Sequence, residues 1–111
     1  TLTLQTRDAY SNNITTGGQA VVFTYSGGSS TGTISGDTDN SNGSYSAQFT
    51  GVVAGSPTTI SATINGSTIT STLPTVQVVA GALSLAQSTV TVSSPTVASG
   101  STVIVTLQAR D

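Results

Sequence analysis

Apolar and hydroxyl side chains alternate along most of this chain. In residues 44–50, for example, Tyr45, Ala47 and Phe49 alternate with Ser, Gln and Thr, and the same period of two recurs in residues 1–5, 60–64 and 103–110. Such alternation is typical of β-strands with one buried and one solvent-facing side. No window carries an apolar stripe at helical spacing. The sequence therefore predicts an all-β protein with essentially no helix.

Turn-forming residues separate the alternating runs. Asn65-Gly66 lies between two of them, and this dipeptide favours a type I′ hairpin turn because both central residues of that turn need a positive φ. The Asn-rich segment 39–43, which ends in Gly, and the Ala-Gly-Ser-Pro segment 54–57 mark two further turns. About seven short strands separated in this way predict an antiparallel β-sandwich.

The side chains used by most catalytic and metal sites are missing. Only 5% of the 111 residues are charged, and the chain has no His, Cys or Lys. Zinc, haem, thiol and Schiff-base chemistry therefore lose their usual groups, and two Arg side chains cannot form a basic stripe for nucleic acid. Apolar runs of only a few residues predict no membrane insertion and no signal peptide. We expect a protein that is not an enzyme and needs no cofactor.

A six-residue segment near the start of the chain returns at its end. Thr3–Asp8 is repeated 103 residues later as Thr106–Asp111, with five of six positions identical. A period of this length is typical of a tandem array of β-sandwich domains. We expect the chain to be circularly out of phase with the domain boundary. Residues 1–79 would supply most strands of one sandwich, and 80–111 the first two strands of the next repeat, or strands donated to a neighbouring subunit.

Several motifs resemble the Ig-like repeats of bacterial invasin and intimin. Ala82–Leu85 followed by Ser88–Val92 is similar to the opening of such a repeat. Thr38–Tyr45 resembles its Thr-Asp-Asn-x-x-Gly-x-Tyr segment, and Val53–Gly55 matches its Ala-Gly turn. The chain departs from the family at Ser11, where the Asp-Ala-x-Gly-Asn turn commonly has Gly. The resemblance covers nearly the whole chain once it is read circularly.

This resemblance implies an Ig-like sandwich in the tandem part of an extracellular adhesin or filament. Such domains act as rods or spacers, and adhesive specificity usually resides in a terminal domain. We therefore expect a cell-surface structural repeat whose partners are copies of itself, joined as a tandem array or by strand exchange. A host or surface glycan could be bound elsewhere in the full protein. The alternative is a carbohydrate- or receptor-binding Ig-like module of a surface or phage-tail protein.

The junction between repeats is the first candidate site. Apolar residues of the segment 80–111 and its charged end would meet the neighbouring copy there, and the candidates are Leu83, Leu85, Val90, Val92, Arg110 and Asp111. Asp8 and Asp111 occupy equivalent positions in successive repeats, and we interpret both as caps of a turn that ends a strand.

Two other candidate sites are weaker. Asp37, Asp39 and Ser41 place oxygen ligands at alternating positions, as in part of a calcium loop, but a polar turn with side-chain hydrogen bonds is the simpler interpretation. Three glycosylation sequons begin at Asn13, Asn42 and Asn65. Chance also produces such triplets in a chain with about 40 Ser and Thr residues.

Overall fold

Strands make up all the regular secondary structure of the computed structural model, which describes all 111 residues. The chain divides into two compact units, Thr1–Val79 and Ala80–Asp111, and each is described by itself. Unit 1 contains β1 (Leu2–Gln5), β2 (Val21–Ser26), β3 (Thr31–Asp39), β4 (Ser44–Val53), β5 (Thr58–Ile64), β6 (Ser67–Thr68) and β7 (Thr75–Val76), and unit 2 contains β8 (Ser84–Val92) and β9 (Val105–Arg110). The all-β prediction is confirmed, and no element is a helix that could cross a membrane.

The first sheet of unit 1 has the order β1-β4-β3 and is antiparallel throughout. β1 pairs with β4 in an unbroken register from Leu2 opposite Ala47 to Gln5 opposite Ser44. β3 pairs with the other side of β4, and its register shifts twice, between Thr31 and Gly32 and again after Ser35. The two edges of this sheet therefore differ, since β3 is irregular and β1 is not.

The second sheet of unit 1 is built around β5. β2 pairs with one side of β5 along its whole length, while β6 and β7 pair with the two ends of its other side. Ile69 and Pro74 still hydrogen-bond to β5, but the residues between them leave the ladder. β6 and β7 are thus the ends of one interrupted edge strand, and counting them as one reduces the nine strands to eight, close to the predicted number of about seven.

The predicted hairpin turn at Asn65-Gly66 is confirmed. It joins β5 to β6 with two residues, and φ is +51° at Asn65 and +85° at Gly66. Positive values at both central positions are the requirement of a type I′ turn.

The core of unit 1 lies between its two sheets. Period-two alternation places three buried side chains on each inner face, Leu2, Tyr45 and Ala47 from the first sheet and Phe23, Ile60 and Ala62 from the second. Tyr25 and Phe49 pack edge to face beside this cluster, with ring centroids 5.6 Å apart. Such a pair adds about 0.5–1.5 kcal/mol to the free energy of burial. The antiparallel β-sandwich predicted from the alternation therefore has its hydrophobic core in unit 1.

Unit 2 is a two-stranded antiparallel sheet of β8 and β9. None of the β9 side chains is buried within this unit. Leu107 remains 69% exposed and Val105 65% exposed, because two strands provide no opposing sheet within the unit. β9 also begins at Val105 rather than at Val103.

Candidate functional site

The outer edge of β1 has backbone groups with no strand beside them. Leu4 lies opposite Tyr45 in the pairing of β1 with β4, and the same register places Thr6 opposite Gly43. The Thr6 N–H donates to the Gly43 carbonyl at 3.0 Å, so these two residues form a directly hydrogen-bonded pair. Directly hydrogen-bonded pairs alternate with non-bonded pairs in an antiparallel ladder, so the backbone groups of Leu4 also face β4. Those of Thr3 and Gln5 point the other way. No strand of the chain pairs with that side of β1.

An apolar cleft opens next to this edge. It lies between Thr3 and Leu4 of the first sheet and residues of the second, and its remaining lining is Phe23, Ile60, Ser61, Ala62, Ile69 and Pro74. The Ser61 hydroxyl is buried and has no hydrogen-bond partner. The outer side of β1 therefore combines unpaired backbone groups with accessible apolar surface.

β1 is held against the 42–43 turn by one carbonyl. Gly43 O accepts the Thr6 N–H at 3.0 Å, the buried Thr6 hydroxyl at 2.7 Å and the Gln5 side-chain amide at 3.3 Å. Gly43 has φ +88°, and a Cβ on it would overlap the carbonyl of Ile14. This position thus requires glycine for two independent reasons. The sequence marked the turn, but nothing in it indicated this role.

The turn that follows β1 is capped by Asp8, as predicted. One carboxylate oxygen accepts the N–H groups of Tyr10 and Asn12 at 2.9 and 3.0 Å, and the other accepts the Asn12 side-chain amide at 3.0 Å. These bonds favour the ionised form, the Asn12 side-chain amide most strongly, and so lower the pKa of Asp8 below its ordinary value.

The calcium candidates lie at the end of β3. Asp37 and Asp39 line one pocket together with Gln19, Phe23 and Tyr45, among others. The two oxygens of Asp39 accept the N–H groups of Gly18 at 2.7 Å and Ser41 at 2.8 Å. Both oxygens thus act in local turns, and the structure contains no cluster of three or more His, Cys, Asp or Glu side chains suited to a metal. Calcium binding here stays the weaker of the two interpretations given above.

The three sequons differ in what their side chains do. Asn13 is exposed and forms an isolated bridge with Arg7. The Asn42 side-chain oxygen accepts the Ser44 N–H at 3.0 Å. The Asn65 amide nitrogen, the atom that a glycan would modify, donates to the Gln19 side chain at 2.6 Å. A glycan on Asn65 would replace one of the two hydrogens of the nitrogen that makes this bond, whereas Asn13 has no such side-chain bond.

The predicted junction residues are solvent-exposed in unit 2. Leu83, Leu85, Val90 and Val92 are all more than half exposed. The Arg110 N–H donates to the Ser88 hydroxyl at 3.1 Å, and the Asp111 carboxylate accepts the Gly81 N–H at 2.7 Å. Asp111 therefore also accepts a backbone N–H, as expected of a cap, but from Gly81, three residues before the start of β8.

Comparison with known protein families decides the classification. The family profile of invasin, domain 3, matches residues 1–81. The chain belongs to the invasin domain 3 family. The match spans all of unit 1 and confirms the resemblance to invasin-type Ig-like repeats. No curated protein and no solved structure matches the chain. This invasin-family chain is thus an Ig-like domain of the type found in surface-exposed bacterial adhesins.

Proposed function

We propose that this invasin-family domain is a structural repeat of a bacterial cell-surface stalk, filament or adhesin, that it joins copies of itself end to end, and that it is not an enzyme. The observation that carries this proposal is the return of Thr3–Asp8 as Thr106–Asp111, once in each unit. A strand that recurs after one domain length is the signature of an array in which each unit contacts its neighbours.

The surface chemistry supports a spacer. Only 5% of residues are charged, and Ser and Thr occupy most outward-facing strand positions. A hydroxyl-rich surface stays hydrated without presenting a field that would steer a charged ligand. The carboxylates of Asp8 and Asp39 are already bonded to backbone N–H groups.

A carbohydrate- or receptor-binding module is the competing function. The pocket with Asp37 and Asp39 offers carboxylates, but its two aromatic residues, Phe23 and Tyr45, are buried, and the Tyr45 hydroxyl accepts the Gln19 N–H at 3.1 Å. Tyr10, which is 87% exposed, does not line that pocket. Sugar binding usually combines an accessible aromatic face with polar groups in one site, so the spacer is favoured.

The test compares proteins with one, two and three repeats joined at the natural 103-residue period. A spacer lengthens by a constant increment, about 33 Å if a ten-residue strand such as β4 lies along the axis at roughly 3.3 Å per residue. Small-angle scattering and electron microscopy measure this length. Glycan-array binding, with Asp37→Asn as the control variant, measures the competing function. Saturable glycan binding that Asp37→Asn abolishes, or a length that does not grow with repeat number, would overturn the proposal.

A further inference from the structure

Three exposed valines lie at the end of unit 1 where the chain leaves it. Val52 and Val53 end β4 and are 65% and 51% exposed, and Val79, the last residue of the unit, is 70% exposed. The Gly55 N–H donates to the Val78 carbonyl at 3.0 Å, which places the end of the unit beside the turn that follows β4. We call Val52, Val53 and Val79 the valine patch.

An exposed tyrosine, Tyr10, lies at the opposite end of unit 1. The last residue of β1, Gln5, pairs with Ser44, the first residue of β4. The ten residues of β4, roughly 33 Å long, therefore separate the turn after β1 from Val53. Tyr10 is 87% exposed, and its N–H donates to the Asp8 carboxylate at 2.9 Å. The Asp8 cap thus fixes the backbone that carries this exposed ring.

Only two residues connect the end of one repeat to the start of the next. In unit 1 the Val78 N–H donates to the Ser30 hydroxyl at 3.0 Å. In unit 2 the Gly81 N–H donates to the carboxylate of Asp111, the counterpart of Asp8 one repeat later, at 2.7 Å. The three peptide units from residue 78 to residue 81 span at most about 11 Å. In a tandem array, the turn that begins at an Asp8-type residue therefore starts close to where the preceding repeat ends.

We propose that, in the array, Tyr10 of each repeat packs on the valine patch of the preceding repeat and so fixes the angle between the two. This inference rests on the proposed end-to-end function and names the residues of its contact. A tyrosine suits the position, because its ring buries a large apolar area while fixing only two χ angles, and its hydroxyl can stay in water at the rim. Without this contact, the connection between repeats would depend on the two linking residues alone.

Cross-linking in a two-repeat chain, joined at the natural 103-residue period, tests the contact. The chain has no Cys, so Tyr10→Cys in the second copy and Val53→Cys in the first introduce the only two thiols. A bis-maleimide about as long as a tyrosine side chain should join them within one molecule. The matched control carries both substitutions in the first copy, where the length of β4 keeps them apart. We expect roughly tenfold more intramolecular product in the test chain, because the contact raises the effective concentration of the two thiols. Equal yields would overturn the proposal.

Substitution in one copy at a time tests whether the contact stabilises the array. Tyr10→Ser in the second copy should lower the Tm of the two-repeat chain by about 2–4 °C. The same change in the first copy, which has no preceding repeat, is the matched control and should leave the Tm unchanged. Once Val53→Ser is present in the first copy, Tyr10→Ser in the second should lower the Tm by less, because the two residues share one contact. Equal effects of Tyr10→Ser in the two copies would contradict the contact.

The two proposals fail in different ways. A length that grows by a constant increment per repeat, without the Tyr10 differences, would leave the spacer function standing and overturn this contact. A length that does not grow with repeat number would overturn the spacer function itself.

Discussion

Replacing Gly43 by alanine should destabilise unit 1 far more than the same change at another glycine of similar φ. Gly43 has φ +88° and its carbonyl accepts the N–H and the hydroxyl of Thr6. A Cβ there would overlap the Ile14 carbonyl. Gly66 has φ +85° but has no atom within 4 Å of such a Cβ. Comparing Gly43→Ala with Gly66→Ala therefore separates the effect of conformational strain from the effect of steric overlap.

The expected losses of stability follow from the surroundings of Gly43 and Gly66. A positive φ costs an L-residue about 1–2 kcal/mol, and Gly66→Ala should lose about that much. In Gly43→Ala the turn must also move away from Ile14. That movement breaks the two bonds from the buried Thr6, each of which contributes about 1 kcal/mol. We expect a total loss of about 3–5 kcal/mol for Gly43→Ala.

Thermal unfolding followed by far-ultraviolet circular dichroism measures this difference. In a domain of this size, 1 kcal/mol shifts the Tm by about 4–8 °C, so Gly43→Ala, which loses about 2 kcal/mol more, should melt at least about 8 °C below Gly66→Ala, with urea unfolding giving the same order. Equal losses in the two variants would show that the contact between Gly43 and Ile14 does not hold β1 in place.

Three further changes test individual polar groups. Thr58→Val should lower the free energy of unfolding by about 1 kcal/mol, because the fully buried Thr58 hydroxyl donates to the Ser26 carbonyl at 3.0 Å; urea titration measures this loss. Ser61→Ala should leave stability unchanged or raise it in the same titration, because its buried hydroxyl has no partner to lose. Asp8→Asn should have a lower Tm than the parent chain at pH 6. The difference in Tm should disappear as the pH falls below 3.8, the ordinary pKa, and through the lowered pKa of Asp8 in the folded state, because the carboxylate is then protonated. A Tm series from pH 6 to pH 2 checks this.

The local sequence pattern is sufficient to predict the strands of unit 1. Tyr45 and Ala47 were assigned to the inner face from period two alone, and both are buried. The Asn65-Gly66 turn followed from the φ values that a two-residue hairpin demands. Asp8 was recognised as a cap because a carboxylate after a strand readily accepts nearby N–H groups. In each case the residues that determine the feature lie within a few positions of one another in the sequence.

Features that depend on distant partners could not be predicted. The role of the Gly43 carbonyl arises from contacts with Thr6, and the orphaned Ser61 hydroxyl from the packing of two sheets. The alternation in β9 predicted a buried face, yet burial needs a second layer that unit 2 does not contain. Periodicity specifies which residues share a face; it does not specify what covers that face.

The low charge of the chain and its edge strands are parts of one physical problem. Proteins commonly protect sheet edges with charges, prolines or bulges. In the first sheet, β3 has two register shifts, whereas β1 has an unbroken register and no charged residue. An unprotected edge strand either pairs unselectively, which leads to aggregation, or pairs with one specific strand. The second copy of the same strand, β9, has the corresponding side paired with β8, so the repeat itself contains a strand that covers such an edge without charge to protect it.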